Sequence, residues 1–317
     1  MFALGPFFIA MKHILLFLIP LTLCAVEAYK PKRINKAIEL LEQGQPIYYT
    51  STSGGGYEDG RKLANTWADY INYEMEHGAF DISALRAFMK GLVDAGPTKS
   101  GHRTPAVIVT LPVVASDEAT VRANAWMIQQ VLGTGVHGIL MCHARSPEGV
   151  RALVEATRYP FAPAAPGVGE GTRGSGSQGY ASSIWGVSGD AYIRLADTWP
   201  LNPKGEILLG LKVEDRFAVA NVAKSVAVPG IAFAEWGPGD MAWSLKLTVD
   251  HSKPYPAEML AMRAKVFQAV KANKKFFLDG VRVGSIEANL KEGIMIGSGD
   301  EAAAAAGRKL TKRGMPW

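Results

Sequence analysis

One unit recurs along this chain: a short apolar run, a polar or glycine-rich loop, then a stretch whose apolar residues return at helical spacing. The runs fall at 46–50, 70–73, 106–111, 138–142, 207–213, 230–234, 275–278 and 293–296. Neither a polar linker nor a break in composition separates them. Alternating strands and helices make parallel neighbours, so eight repeats predict a closed (β/α)8 TIM barrel, one domain over residues 29–317. An open doubly wound sheet is the alternative. Between the runs, 121–132 brings Val121, Ile128, Val131 and Leu132 to one helical face, and 257–272 does the same with Leu260, Val266, Phe267 and Val270. The eighth run is the hardest to anchor, because 279–292 has no obvious element. Chemistry in such a barrel sits at the carboxyl ends of the strands. The Pro-, Gly- and Ser-rich loop 159–179 is expected to cross that mouth.

The first 28 residues read as a signal peptide rather than as part of the barrel. Lys12 and His13 precede the apolar run 14–23, and Val26-Glu27-Ala28 offers small residues where a signal peptidase cleaves. The stretch before Met11 lacks a basic start, which makes Met11 a candidate initiator. The expectation is an exported chain, periplasmic or secreted, with an uncleaved anchor as the alternative. Loss of Lys12 and Glu27 leaves the formal charge of +5 unchanged. Basic residues are scattered and not interleaved with aromatics, so nucleic acid is not an expected partner. Cys142 is then the sole cysteine, which excludes an internal disulfide; in its apolar run it reads as a buried thiol.

Several tempting motifs fail on context. Gly174-x-Gly176-x-x-Gly179 has dinucleotide spacing but follows a Pro-rich loop where a strand is required. Gly60 is followed by Arg61, so a phosphate loop's Gly-Lys is missing, and no Gly-x-Ser-x-Gly elbow occurs. Ionisable groups do stand at strand ends. Alternation sends Glu74 and Glu76 to one side after the second run, with His77 where strand becomes loop. Lys212 and Glu214 share a face at the fifth, as a buried ion pair or as functional groups. After the sixth, Gly237-Pro238-Gly239-Asp240 makes a tight turn carrying a carboxylate. Glu214 and Asp240, offered from separate strand ends, suit a divalent metal.

In order, Glu76-His77-Gly78, Arg158-Tyr159-Pro160 with Gly171-Thr172-Arg173-Gly174, Val213-Glu214, Val228-Pro229-Gly230-Ile231 and Gly237-Pro238-Gly239-Asp240-Met241 closely resemble the HpcH/HpaI aldolase family over roughly 45–299. The resemblance implies a class II aldehyde-lyase that cleaves a 4-hydroxy-2-oxo acid or 2-keto-3-deoxy sugar acid to pyruvate and an aldehyde through a metal-stabilised enolate. It implies Mg2+, Mn2+ or Co2+ held by Glu214 and Asp240, His77 as the catalytic histidine and Glu74 as its supporting acid. The Gly239 amide matches the position that holds the substrate carboxylate. A homo-trimer or hexamer, with a small-molecule 2-oxo acid as the other partner, is implied as well.

Two departures matter. The family's Val-Arg-Val-Pro reads Val109-Thr110-Leu111-Pro112 here, so the cation facing the pyruvyl oxygen is absent; its Leu-Asp-x-Gly reads Leu132-Gly133-Thr134-Gly135, so the usual His-Asp dyad cannot form. One strong oxyanion donor stabilises a transition state by roughly 3–4 kcal/mol. Lys212, two residues before Glu214 and on its face, is the candidate replacement, acting in catalysis and in substrate binding. His143 and Arg145 bring further polar groups to the mouth. A non-catalytic metal- or organic-acid-binding barrel is the second reading.

Overall fold

The computed structural model describes residues 1–3, 5 and 29–316, so the expected signal peptide lies almost wholly outside the described residues. Nine strands form one parallel sheet: β1 (Ile47–Thr52), β2 (Tyr70–Glu74), β3 (Ala106–Leu111), β4 (Gly138–Met141), β5 (Thr198–Trp199), β6 (Ile207–Lys212), β7 (Phe233–Glu235), β8 (Phe276–Gly280) and β9 (Ile296–Ser298). Their order is β4-β3-β2-β1-β9-β8-β7-β6, and β4 also pairs with β6 (Leu140 opposite Gly210), which closes an eight-stranded barrel. The two-residue β5 is an extra flap on the amino end of β6. Each of the eight apolar runs holds one barrel strand. β9 begins only at the last residue of its run, because Gly293 (φ +96°) first ends the helix Ile286–Glu292 that occupies the unassigned segment.

Alternation along the strands splits the apolar residues into two layers. Ile47, Tyr70, Ala106, Ile108, Leu140, Leu208, Phe233, Leu278 and Ile296 fill the lower barrel, and the helix Lys36–Glu42 plugs its amino-terminal end with Ala37, Ile38, Leu40 and Leu41. Gly210 is required there, since a Cβ would lie 2.1 Å from the Phe233 ring. Emptying that space by Phe233→Ala would cost about 3–5 kcal/mol. The opposite side chains, among them Ile71, Val107, Val109, Ile139, Leu209, Leu211 and Phe277, face the surrounding helices. With its lower half packed solid, the barrel is open to chemistry only at the strand carboxyl ends.

Three sequence expectations are corrected. The segment 121–132 is two helices, Glu118–Ala123 and Ala125–Leu132, broken at Asn124, although all four expected core residues are buried. Helix Ala257–Ala272 buries Val266 and Val270 but leaves Leu260 46% exposed. More consequentially, the loop 159–179 does not cross the mouth. Helix Pro147–Thr157 runs down the outside of the barrel and brings Glu155 to the opposite rim. There the Glu155 carboxylate accepts from the Gly169 amide (2.8 Å), its carbonyl accepts from the Thr172 amide (2.8 Å), and Arg173 N donates to the Arg158 carbonyl (3.0 Å). The buried Arg158 guanidinium grips Asp197, just before β5, at 2.6 Å. Backbone demand at a helix end and a buried charge pair hold the loop at the amino-terminal rim.

Candidate active site

Above the apolar floor the barrel turns polar. Thr110 donates to Asn72 Oδ1 at 2.7 Å, a neutral pair at the level where the resemblance led us to look for a cation. The cation comes from β6. Lys212 Nζ contacts Glu76 and lies 3.0 Å from Glu214 Oε2, and strand register sets Lys212 directly beside Glu235 on β7. Burial works against the Lys212 charge, but Glu235 and Glu214 outweigh it and raise the pKa above the ordinary lysine value. Lys212 is therefore an ammonium at neutral pH. Burial also raises the carboxyls it serves: Glu214 upward, and Glu235 to about 8.

Glu214 lies two residues past the end of β6 with no exposed surface. Its Oε1 accepts from the His143 amide (3.0 Å), whereas Oε2, despite the nearby ammonium, makes no hydrogen bond. Gly237 makes room for it: at φ +48° it adopts a left-handed conformation, and a Cβ there would lie 2.4 Å from Glu214 Cβ and 2.7 Å from Oε2. The same turn starts the helix Pro238–Ser244, with Gly239 exposed and Asp240 in the first turn. His143 follows β4, itself left-handed at φ +45°, which is uncommon for a residue other than glycine. Its Nδ1 lies 2.9 Å from Asp215 Oδ2, and its Nε2 lies 3.8 Å from both Glu76 Oε1 and Glu214 Oε1. The Asp215 hydrogen bond raises the His143 pKa against the effect of burial. Asp215 itself is held well below the usual carboxylate range, because His143, the Ala218 amide and Arg145 (2.8 Å) overcome its burial.

Ligand atoms of Glu76, His143, Glu214 and Asp240 all lie within 4.8 Å of one another, and those of Glu74, Glu76 and His77 form a second such group. Glu76 joins the two. A divalent cation fits this chain on the structure's own terms: hard oxygen donors converge on one point, one buried carboxylate oxygen lacks a hydrogen bond, and a glycine keeps the space open. A cleft of about 300 Å³ opens beside His143 and Asp240, with Arg145, Phe217 and Trp243 in its wall.

The predicted residues thus divide. Lys212, Glu214 and Asp240 lie together at the mouth. Glu74 stands one step outward, accepting from the amides of Glu76 (2.6 Å) and His77 (3.3 Å). The His77 ring is largely exposed, with Nδ1 3.8 Å from Glu74 and 3.7 Å from Glu76. Glu76, Glu235 and Asp215 were given no role by sequence reasoning, and His143 was noted only as an unusual polar group. Alternation from Glu74 was the available signal for Glu76. Cys142 is buried and its thiol is pushed up by burial, which leaves it protonated.

Fold and donor set together define a parallel-barrel protein with an acidic, metal-competent mouth. The chain belongs to the HpcH/HpaI aldolase/citrate lyase family, whose model matches residues 61–301. It is 30% identical over 177 residues to the hydroxypyruvate/pyruvate aldolase of Deinococcus radiodurans, covering 56% of this chain and 52% of that protein. The chain spans about half the length of the first curated relatives it matches. A family protein from Burkholderia cenocepacia J2315 superposes with a TM-score of 0.64 at 19% identity, covering 87% of this chain and 97% of that one. The citrate lyase beta subunit of M. tuberculosis, complexed with oxaloacetate and magnesium, gives a TM-score of 0.51 at 14% identity, covering 85% and 97%.

Proposed function

We propose that this protein is a divalent-metal-dependent lyase that cleaves a hydroxylated 2-oxo acid, a 4-hydroxy-2-oxo acid or a 2-keto-3-deoxy sugar acid, to pyruvate and an aldehyde. The observation that carries the reading is the fully buried, partly unsatisfied Glu214 beside Asp240 and an ammonium at the barrel mouth. Glu214 and Asp240 would hold the ion. A divalent cation bound there supplies Lewis-acid polarisation of the keto group. The Gly239 amide, in the first turn of its helix, would bind the substrate carboxylate, and Lys212 would face the C2 oxygen where negative charge collects. His77, with its imidazole open to solvent, would take the proton of the 4-hydroxyl. The C3–C4 bond then breaks, its electron pair moves to the C2 oxygen through the enolate, and the aldehyde leaves. Protonation at C3 completes pyruvate. Glu74 positions His77 by accepting its backbone amide.

The proposal extends to the whole chain: export after cleavage near Ala28, or anchoring if uncut, and assembly as a trimer or hexamer. Pyruvate release from a panel of 4-hydroxy-2-oxo acids, with and without Mg2+ or Mn2+, tests the activity. Metal-dependent release from at least one acid supports it. Tight binding of one acid with no turnover of any selects the binding-protein reading instead, which the occupation of Lys212 by Glu76 and Glu214 favours.

A further inference from the structure

We infer that His143 and Glu76 are metal ligands alongside Glu214 and Asp240, giving a three-carboxylate, one-imidazole site that takes a first-row d-block ion (Mn2+, Fe2+, Co2+ or Zn2+) in preference to Mg2+. The inference rests on the metal-dependent part of the reading above and not on the lyase step. Three observations carry it. Two donors bound to one ion at about 2.1 Å each stand roughly 3–4.2 Å apart, and His143 Nε2 stands 3.8 Å from Glu76 Oε1 and 3.8 Å from Glu214 Oε1. The other ring nitrogen donates to Asp215 at 2.9 Å, the carboxylate–histidine arrangement that fixes the tautomer and leaves the Nε2 lone pair directed at the ion. Asp215 is in turn held by Arg145 and by the amides of Phe217 and Ala218, so the ring has little freedom to turn away.

The third observation is the backbone. His143 is one of four non-glycine residues with positive φ among the described residues, and the other three are surface lysines at 246, 274 and 312. A partly buried histidine kept in that conformation, with its own amide on Glu214, is held where its ring can meet the cluster. An imidazole donor shifts preference away from Mg2+, which favours oxygen and keeps its waters, toward ions that accept nitrogen. Lys212 does not block the site: Glu235, its neighbour across the β6–β7 register, stays beside the ammonium when Glu76 and Glu214 turn to an ion.

The test uses the purified chain stripped with a chelator and titrated with Co2+, Zn2+, Mn2+ and Mg2+ separately. Visible absorption of bound Co2+, calorimetry and pulsed EPR of bound Mn2+ are the readouts. Wild type should show 14N coupling to Mn2+ and bind Zn2+ and Co2+ more tightly than Mg2+. His143→Gln, with its fold checked by circular dichroism, should lose the nitrogen coupling and at least about tenfold in Zn2+ and Co2+ affinity, while its Mg2+ affinity stays within about threefold. Glu76→Gln should keep the coupling and weaken every ion. Absent nitrogen coupling in wild type, equal losses for Mg2+ and Zn2+ in His143→Gln, or no ion bound at all, each overturns the inference. Because no substrate is present, nitrogen coupling without pyruvate release refutes only the lyase reading, and pyruvate release without coupling refutes only this one.

Discussion

Lys212 is the residue on which the charge balance of the mouth turns. Its ammonium stands among Glu76, Glu214 and Glu235, and removing it leaves three carboxyl groups with no cation among them in a mostly buried space. Lys212→Met should destabilise the metal-free chain by up to about 3–5 kcal/mol, the range for breaking one side of a buried ion pair. A urea titration checks it, and saturating Mn2+ should return much of the loss. If the lysine also replaces the cation absent at Thr110, pyruvate release should fall about 10²–10³-fold in kcat at saturating metal; unchanged turnover would remove Lys212 from the chemistry and leave it a structural counter-ion. Gly237 permits a second test at this scale. Gly237→Ala puts a side chain on a left-handed residue and into Glu214, so the ion titration should weaken sharply while the barrel still melts cooperatively.

At the scale of elements, one carboxylate joins a helix to the site. Asp215 caps helix Arg216–Ala227, its Oδ1 accepting from the amides of Phe217 (2.9 Å) and Ala218 (2.8 Å), while its Oδ2 holds His143 and Arg145. Asn keeps the capping oxygen and loses the charge. Asp215→Asn should therefore lose ion affinity with little loss of helix stability, whereas Asp215→Ala should cost a further 0.5–2 kcal/mol or so from the missing cap; paired urea and calorimetric titrations separate the two. The elements were legible in the sequence where local pattern decides them. Eight apolar runs became eight strands because both faces of a parallel strand are buried. Glu214 and Asp240 were legible because each ends a run. Glu76, His143 and Glu235 acquire meaning only through closure: Glu235, between Ala234 and Trp236 at the end of an apolar run, is recognisable as a site group only once register sets it against Lys212. The loop 159–179 was misplaced for a related reason. Its composition marks a long loop, but the rim it lies on is decided by Glu155 and Asp197, which are remote in sequence from its glycines.

Over the whole molecule the response to acid sets buried histidines of the closed end against buried carboxyls at both ends of the barrel. His137, fully buried at the start of β4, accepts from the Val107 amide through Nδ1 (3.1 Å) and stacks on Trp185, so the fold needs its neutral ring; burial lowers its pKa to about 3. His102 is lowered to about 4, burial outweighing the Glu39 carboxylate 3.2 Å away. Both rings bind a proton near pH 6.5 when unfolded and resist it when folded, so each removes stability as pH falls below 6.5, at up to about 1.4 kcal/mol per pH unit. Glu206 acts in the opposite sense, and so does Glu235 at the mouth. Burial raises them to about 7 and about 8, so from there down to 4.5 the folded state takes up their protons before the unfolded one and gains stability as pH falls, offsetting the two histidines. Below 4.5 that offset ends, and Asp69, lowered by Arg313, Arg308 and Lys36 despite its burial, begins to favour the unfolded state as well. The urea midpoint should thus change little from pH 6.5 to 4.5 and fall steeply below it. His137→Gln, whose side-chain carbonyl can still accept from Val107 but cannot titrate, should make the midpoint rise as pH falls from 6.5 to 4.5; an unchanged slope would mean that the imidazole is not held neutral by the fold.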